Sequence, residues 1–506
     1  MSGIAVGYGR TVDEPALQTM LATMAHRGPA WSGLAKQGRW ILGQNYTLAD
    51  LGTRKDPAAV CNFDGCDDAP QIVYDGQIGN WSELAGPREI ADGPRRDERL
   101  LVRMYQQEGA AMFQRLGDAG FALVIGDGEQ VVAARDVLGI KTLFYGRKNG
   151  VCYFGTELKS VLAVADEVYE FPAGHYMDGG GTLHRFAELA PPAEPVCDTP
   201  ERAVARIRDI IWRSFCQRVD FSPPTAGLLS GGLDSSIVCC LAARRLREER
   251  SETARLTTFA VGVGESEDIR KARLVAESLG SEHRELIVDL DRILEVLPDV
   301  IYYLESFDPS LVRSAVSNYL VSRFAREQGF EQLLSGEGGD ETFCGYEYIK
   351  EFGAERLLAE QLRCLGFVHS NAALRLDRMN RCHGLRVVTP LLSGELLDYA
   401  LRLPAEYKQK PGDGGKIEKW ILRLAYEPLL PAAIVWRPKQ EFSQGSESAE
   451  VLPAYFEGRI SDEEFTAACR EHPQLRSKEE LHYFRVFAEH FGTGSAVSTV
   501  GQWVSL

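Results

Sequence analysis

The stretch Ala226-Gly227-Leu228-Leu229-Ser230-Gly231-Gly232-Leu233-Asp234-Ser235-Ser236 decides the fold. An apolar strand, AGLL, runs into a Gly-Gly turn. The turn opens a helix, SSIVCCLAARRLREE, with Ile237, Leu241 and Ala242 on one face. A helix that starts at a strand end points its free N–H groups beyond the sheet, which favours an anion. Gly231 and Gly232 let the main chain approach phosphate closely. Ser230, Ser235 and Ser236 are candidate hydroxyl donors. Asp234 would repel a phosphate unless a cation lies between them, so Mg²⁺ is implied. The loop has no lysine and is therefore not the GxxxxGK loop that cradles β- and γ-phosphates.

Outward from this loop, strand and helix alternate. LTTFAVGVG reads as a strand and IRKARLVAESLG as a helix; EHRELIVD and EQLLSG read as further strands. The alternation predicts a parallel sheet with helices on both faces. From about Ala354 the chain reads as mainly helical. The segment LAPPAEPVCDTP, residues 189 to 200, has four prolines and no periodicity and reads as a linker. Before it lie short β-type runs (RWILGQNY, PQIVYDG, GFALVIGDG, QVVAARD, VCYFGTE) and helices near Pro15 to Met24 and Asp97 to Gln107. These predict layered sheets. The expected domains are 1–190 and 201–506.

Ligands of an open α/β sheet sit beyond the carboxyl ends of its strands. A second strand end carries Leu334-Ser335-Gly336-Glu337-Gly338-Gly339-Asp340-Glu341. Both loops should face one crevice, with Asp234 and Asp340 sharing the metal. A third segment, Trp436-Arg437-Pro438-Lys439-Gln440-Glu441-Phe442-Ser443, offers Lys439 as the cation that carboxylate activation needs. The run Glu418 to Arg423 reads as a helix framing the same site.

The bulk properties bound the partners. The chain has 506 residues, enough for two or three domains, and a formal net charge of −16. That acidity argues against a nucleic-acid partner held through phosphates. No stretch has the length of a signal peptide's apolar core or of a membrane span, so the expected location is the cytoplasm. The 11 cysteines are scattered and read as reduced thiols; the Cys61–Cys66 spacing fits no common zinc pattern.

SGGLDSS resembles the loop of the ATP pyrophosphatases. With FAVGV, SGEGGDETFCGY, EKWILR and WRPKQEFSQG in this order, it resembles the synthetase half of asparagine synthetase and its relatives. AHRGPAWSG, YDGQIGN, RDVLGIKTLFYG, TELKSVLA and FPAGHYM follow that family's glutaminase half. The resemblance implies an α/β protein with two parts. One is an N-terminal glutaminase-like αββα domain of the N-terminal-nucleophile type. The other is a C-terminal PP-loop ATP pyrophosphatase domain. It further implies ATP contacts from Leu229, Val261, Ser335 and Gly336 beside the loop. Small-molecule substrates are expected, and the resemblance is compatible with a homodimer.

The chain also departs from the family pattern. Ser2 stands where the family has its nucleophilic cysteine, and a hydroxyl needs a strong local base to match a thiol. Asn45 aligns with the arginine that holds the glutamine carboxylate. Asp75 aligns with an oxyanion-hole asparagine, where a carboxylate would oppose the developing charge. Asp97 still matches the acid that holds the glutamine amino group. Little or no glutaminase activity is therefore expected. On the acceptor side Arg313 stays, while the family's ARVPFLD segment reads VVTPLLS and loses an arginine and an aspartate. Glu337 remains where β-lactam synthetases tend to carry tyrosine.

The expected function is an AMP-forming ligase. It adenylates a carboxylate and transfers it to ammonia or an amine, without glutamine hydrolysis. Lys439 would steady the acyl oxyanion, and Glu337 would orient or deprotonate the amine. The alternatives are an asparagine synthetase acting on aspartate, a tRNA-modifying or sulfurtransferase-type ATP pyrophosphatase, and a non-catalytic homologue.

Overall fold

A computed structural model describes residues 2–47, 69–86, 95–412, 415–439 and 448–503. Cys61, Cys66 and the stretch 440–443 singled out above lie outside them. Two compact units emerge: Met1–Leu189 with Phe491–Val500, and Ala190–His490 with Gly501–Leu506. The return of Phe491–Val500 to the first unit has no counterpart in the sequence reading. There, Ser495 Oγ accepts the Val168 N–H at 2.9 Å.

The first unit stacks two antiparallel sheets. One comprises β1 (Ile4–Tyr8), β2 (Trp31–Gln37), β3 (Trp40–Tyr46), β7 (Phe144–Lys148), β8 (Val151–Gly155) and β9 (Tyr169–Glu170), in the order β2-β3-β1-β8-β7-β9. The other comprises β4 (Gln71–Ile78), β5 (Ala119–Asp127), β6 (Gln130–Arg135), β10 (His175–Met177) and β11 (Leu183–Arg185), in the order β11-β10-β6-β5-β4.

Strand periodicity explains the layering. Val73, Ala122 and Val124 point between the sheets and join Ile4, Val6, Trp40 and Phe154. Their neighbours Ile72, Phe121, Leu123 and Ile125 point the other way, onto Leu100, Leu101 and Met104 of helix Arg96–Glu108. Helix Glu14–Thr23 covers the opposite face with Leu17, Met20 and Leu21. The layers are thus α-β-β-α, as the resemblance implied.

The second unit carries a parallel sheet: β12 (Thr225–Leu228), β13 (Thr257–Val263), β14 (Glu282–Val288), β15 (Gln332–Leu334) and β16 (Arg386–Val388), in the order β14-β13-β12-β15-β16. Alternate residues again serve two faces. Ala260 packs with Ile237, Leu241, Ile269 and Val275 on one side. Phe259 meets Phe324 and Phe330 edge-on at 5.5 and 5.3 Å on the other. The chain steps outward from β12 to β13 and β14, then crosses back to β15 on the other flank of β12. The β12–β15 boundary is therefore the point where strand order reverses, and a crevice opens there.

Beyond Ala354 the chain is mainly helical, with three short strands: β16 extends the sheet, and β17 (Gln409–Gly412) pairs with β18 (Gly415–Glu418) as a hairpin. One reading needs correction. The run Glu418 to Arg423 is not one helix. Glu418 closes β18, Lys419 is left-handed, and the helix begins at Trp420. A short pattern cannot distinguish a helix from a strand that ends in a tight turn.

Candidate active site

The loops after β12 and β15 meet at the crevice. They touch so closely that a Cβ on Gly336 would lie 2.4 Å from Ser235 N and 2.5 Å from Asp234 C. A Cβ on Gly339 would lie 2.4 Å from the Asp234 carboxyl. Gly231 has φ +71 and packs against Lys271 and Ala272, so glycine is required there on both counts. The cleft that results, together with the solvent at its open mouth, spans about 1050 Å³. Leu229, Ser230, Gly232, Asp234, Ser235, Val261, Ser335, Gly336, Glu337, Asp340 and Lys439 all line it.

Three expected residues do not. Ser236 is fully buried and donates its hydroxyl back to Gly232 O, four residues earlier, at 2.7 Å, so it bonds its own helix instead of facing a phosphate. Gly231 shapes the loop from behind. Arg313 is committed to Glu479, with Nε donating to both carboxylate oxygens at 3.0 and 3.1 Å, and Tyr483 bonds the same acid at 2.6 Å.

The charges at the cleft interlock. Lys419 Nζ contacts Asp234 Oδ2 and lies 2.6 Å from Asp340 Oδ1. Lys439 Nζ donates to Asp340 Oδ2 at 2.6 Å. Glu337 pairs with Arg375. Burial alone would raise the Asp340 carboxyl, but Lys419 and Lys439 outweigh it and hold it below the usual carboxylate range. Burial raises the Asp234 carboxyl and, with Asp340 adding to it, outweighs the opposing pull of Lys419. Burial would lower the Lys439 ammonium, but Asp340 and Asp234 overcome that and raise it. Burial, with Glu337 and Asp340 nearby, pushes Glu341 up to about 7.

Asp234 Oδ1 is buried and accepts no hydrogen bond. Two carboxylates, each with a buried oxygen that accepts no hydrogen bond, suit a Mg²⁺ ion that brings most of its remaining ligands as water and phosphate oxygens. The residues present therefore fit that ion, and Asp234 and Asp340 are the side chains that would hold it. Among the described residues no group of three or more His, Cys, Asp or Glu could hold a metal by itself.

In the first unit Ser2 is buried at the start of β1. Its hydroxyl donates to Tyr74 O at 3.2 Å and accepts from Gln44 Nε2. The Gln44 amide orientation is fixed, because its Oε1 accepts from Tyr46 OH at 3.0 Å and Tyr74 N at 3.2 Å. Asp75 is fully buried against Arg27 at 2.8 Å, and Arg27 also reaches Glu157 at 3.0 Å. Asn45 spends its amide on structure: Nδ2 donates to Leu21 O and Met24 O, and Oδ1 accepts from Ser32. Asp97 accepts from Ile78 N at 3.1 Å and Tyr74 OH at 3.3 Å; burial, then Glu98, raises its carboxyl.

Comparison with known proteins follows the same division. The asparagine synthase model matches residues 206–363 and 349–496, and the glutamine amidotransferase domain model matches residues 1–178. The chain belongs to the asparagine synthase family. It is 33% identical to a probable asparagine synthetase (glutamine-hydrolyzing) of Schizosaccharomyces pombe, over 95% of this chain and 91% of that one. It is 32% identical to asparagine synthetase B (glutamine-hydrolyzing) of Escherichia coli strain K12, over 94% and 88%. The maize asparagine synthetase (glutamine-hydrolyzing) is 30% identical over 94% and 83%. Family membership carries ATP-dependent carbon–nitrogen ligation at the level of the family.

Several residues of this family site escaped the sequence reading. Lys419 was assigned only to a framing helix, although it bridges both acids. It holds φ +54 and ψ +28, a conformation that costs a non-glycine residue about 1–2 kcal/mol. Arg423, buried, donates to Glu418 O at 2.7 Å and Arg437 O at 2.9 Å and so ties the hairpin to the Lys439 segment. Asp268 and Arg437 also line the cleft. An isolated lysine or arginine in sequence reads as a solvated charge, and only the fold buries these. Among the described residues nine cysteines are free thiols, and no helix is long and apolar enough to cross a membrane.

Proposed function

We propose that this chain is an asparagine-synthetase-type ligase that adenylates a carboxylate, aspartate being the first candidate, and passes the acyl group to nitrogen. The observation that carries the reading is the meeting of Asp234, Asp340, Lys419 and Lys439 at the strand-order reversal. The relatives' names support aspartate as the acid over the broader expectation of an unassigned carboxylate.

Backbone N–H groups of residues 230–235 hold pyrophosphate at the helix start. Leu228, Leu229, Phe259, Val261 and Val321 give the nucleotide an apolar wall. Bound Mg²⁺ supplies charge neutralisation as the α–β phosphate bond breaks. Asp234 and Asp340 would hold that ion on the protein side. Lys439 then steadies the acyl oxyanion as nitrogen attacks. Glu337, lining the same cleft, orients the incoming amine or accepts its proton. Small molecules are the only partners this reaction requires. A soluble cytoplasmic enzyme is part of the proposal.

The nitrogen source divides two readings. The expectation that glutamine is not hydrolysed finds no support in the relatives, whose names include glutamine hydrolysis. Glutamine-dependent synthesis through Ser2 therefore stands first. A second reading, free ammonia as the donor, rests on the Ser2 hydroxyl: its proton points to a backbone carbonyl, which is not a base.

The test is a pyrophosphate-release assay with ATP, Mg²⁺ and aspartate, with glutamine or ammonium in parallel. AMP, pyrophosphate and asparagine in equal amounts are expected. Formation of ADP would remove the adenylation step. Synthesis with ammonium but not with glutamine would select the second reading.

A further inference from the structure

The four oxygens of Asp234 and Asp340 are almost fully used by this chain's own cations. Lys419 Nζ contacts Asp234 Oδ2 and sits 2.6 Å from Asp340 Oδ1, and Lys439 takes Asp340 Oδ2 at 2.6 Å. Asp234 Oδ1 and Asp340 Oδ1 accept no hydrogen bond, although the Lys419 ammonium lies against the second. Two ammonium groups therefore face these two carboxylates.

The Lys419 side chain is delivered, not loose. It is 2% exposed, its backbone is left-handed, and it emerges from the end of β18. Gly345 leaves room for its stem: a Cβ there would lie 2.0 Å from Lys419 Cε and 2.1 Å from Asp340 Oδ1. The fold thus reserves a channel that carries one ammonium to the gap between two acids.

We propose that Lys419 is a built-in counter-ion that occupies the divalent-cation seat between Asp234 and Asp340. The cation then enters only together with a nucleotide triphosphate. The inference rests on the ligase reading of this cleft. Its physical basis is charge. A bare divalent ion would face two ammonium groups as well as two carboxylates, and Mg²⁺ sheds its waters reluctantly. A triphosphate brings negative charge that can receive the Lys419 ammonium as the carboxylates turn to the metal. Lys419 is in this sense a positioning residue that orders binding.

The test measures Mn²⁺ binding by electron paramagnetic resonance, on the full chain, with and without a non-hydrolysable ATP analogue. The wild-type chain should bind Mn²⁺ with the analogue and at least about tenfold more weakly without it. Lys419→Met keeps the stem and removes the charge. It should bind Mn²⁺ without nucleotide about tenfold or more tightly than wild type. Asp234→Asn combined with Lys419→Met should lose that gain.

Wild-type binding of Mn²⁺ that is equally tight with and without the analogue would overturn the proposal. So would a folded Lys419→Met variant with no gain. The wild-type comparison stands if that variant fails to fold. Failure of the wild-type chain to bind the analogue at all would instead remove the ligase reading.

Discussion

Arg437 Nη2 lies 2.9 Å from Asp268 Oδ1, both side chains buried, while its Nη1 donates to Gly231 O at 3.3 Å. One guanidinium therefore joins the Lys439 segment, the helix Glu267–Leu279 and the phosphate loop. Burial pushes the Asp268 carboxyl up from 3.8 to about 6, against the pull of Arg437. A raised carboxyl favours the fold fully below pH 3.8, and that favour is lost as pH rises through 6. Arg437→Gln leaves the ionised acid buried without its partner. Urea unfolding should show a loss of about 3 kcal/mol at pH 8 and a smaller loss at pH 5. Equal losses at both values would show that the pair is not the cause.

Lys439 bonds Asp340 and lines the same cleft as Glu337. Lys439→Ala should lower kcat for amide formation by about 10²–10³-fold, the range for loss of one oxyanion-stabilising donor. Full activity in this variant would take the lysine out of the mechanism.

Gly336 sets the distance between the two ligand loops. Gly336→Ala places a methyl group against the backbone of Asp234 and Ser235 and must push the loops apart. Calorimetric titration should show weaker binding of an ATP analogue, and the melting curve a loss of about 1–3 kcal/mol. Unchanged nucleotide affinity would mean that the loops can separate without opening the site.

Ser2 is remote in sequence from the ligase residues, and it alone in its cluster has a nucleophilic hydroxyl in place of the family thiol. Ser2→Ala should leave ammonium-dependent synthesis within about twofold of wild type. It should abolish glutamine-dependent synthesis. Persistence of the glutamine reaction would show that another group cleaves the amide.

Lys408 is 2% exposed and donates to Gln361 Oε1 at 2.7 Å. Burial lowers its ammonium from 10.5 to about 8. Between these values the unfolded chain binds the proton more strongly, so this residue's contribution to stability rises with pH from about 8 to 10.5. Lys408→Met should flatten that rise in chemical denaturation. An unchanged slope would assign it to other groups.

Local information made much of this protein legible. SGGLDSS follows an apolar strand, so its glycines and helix start announced an anion loop at residues 230–236. The short β-type runs PQIVYDG and GFALVIGDG announced layered sheets. Ser236 shows the limit of that reading. Its hydroxyl looks like its neighbours', but helical geometry turns it back onto Gly232. Arg313 was read as facing a substrate, yet it meets Glu479, 166 residues later. Nothing local marks that partner.

The sequence by itself determined the elements, the two kinds of sheet and the family. Each depends on neighbouring residues or on strings that recur intact. Only the tertiary structure decided which charges meet. Lys419, Asp234 and Asp340 are far apart in the chain, and they meet because β15 returns to the flank of β12 while the β17–β18 hairpin delivers a lysine. The interaction of charges depends on separation in space and on burial, and neither is encoded at any single position.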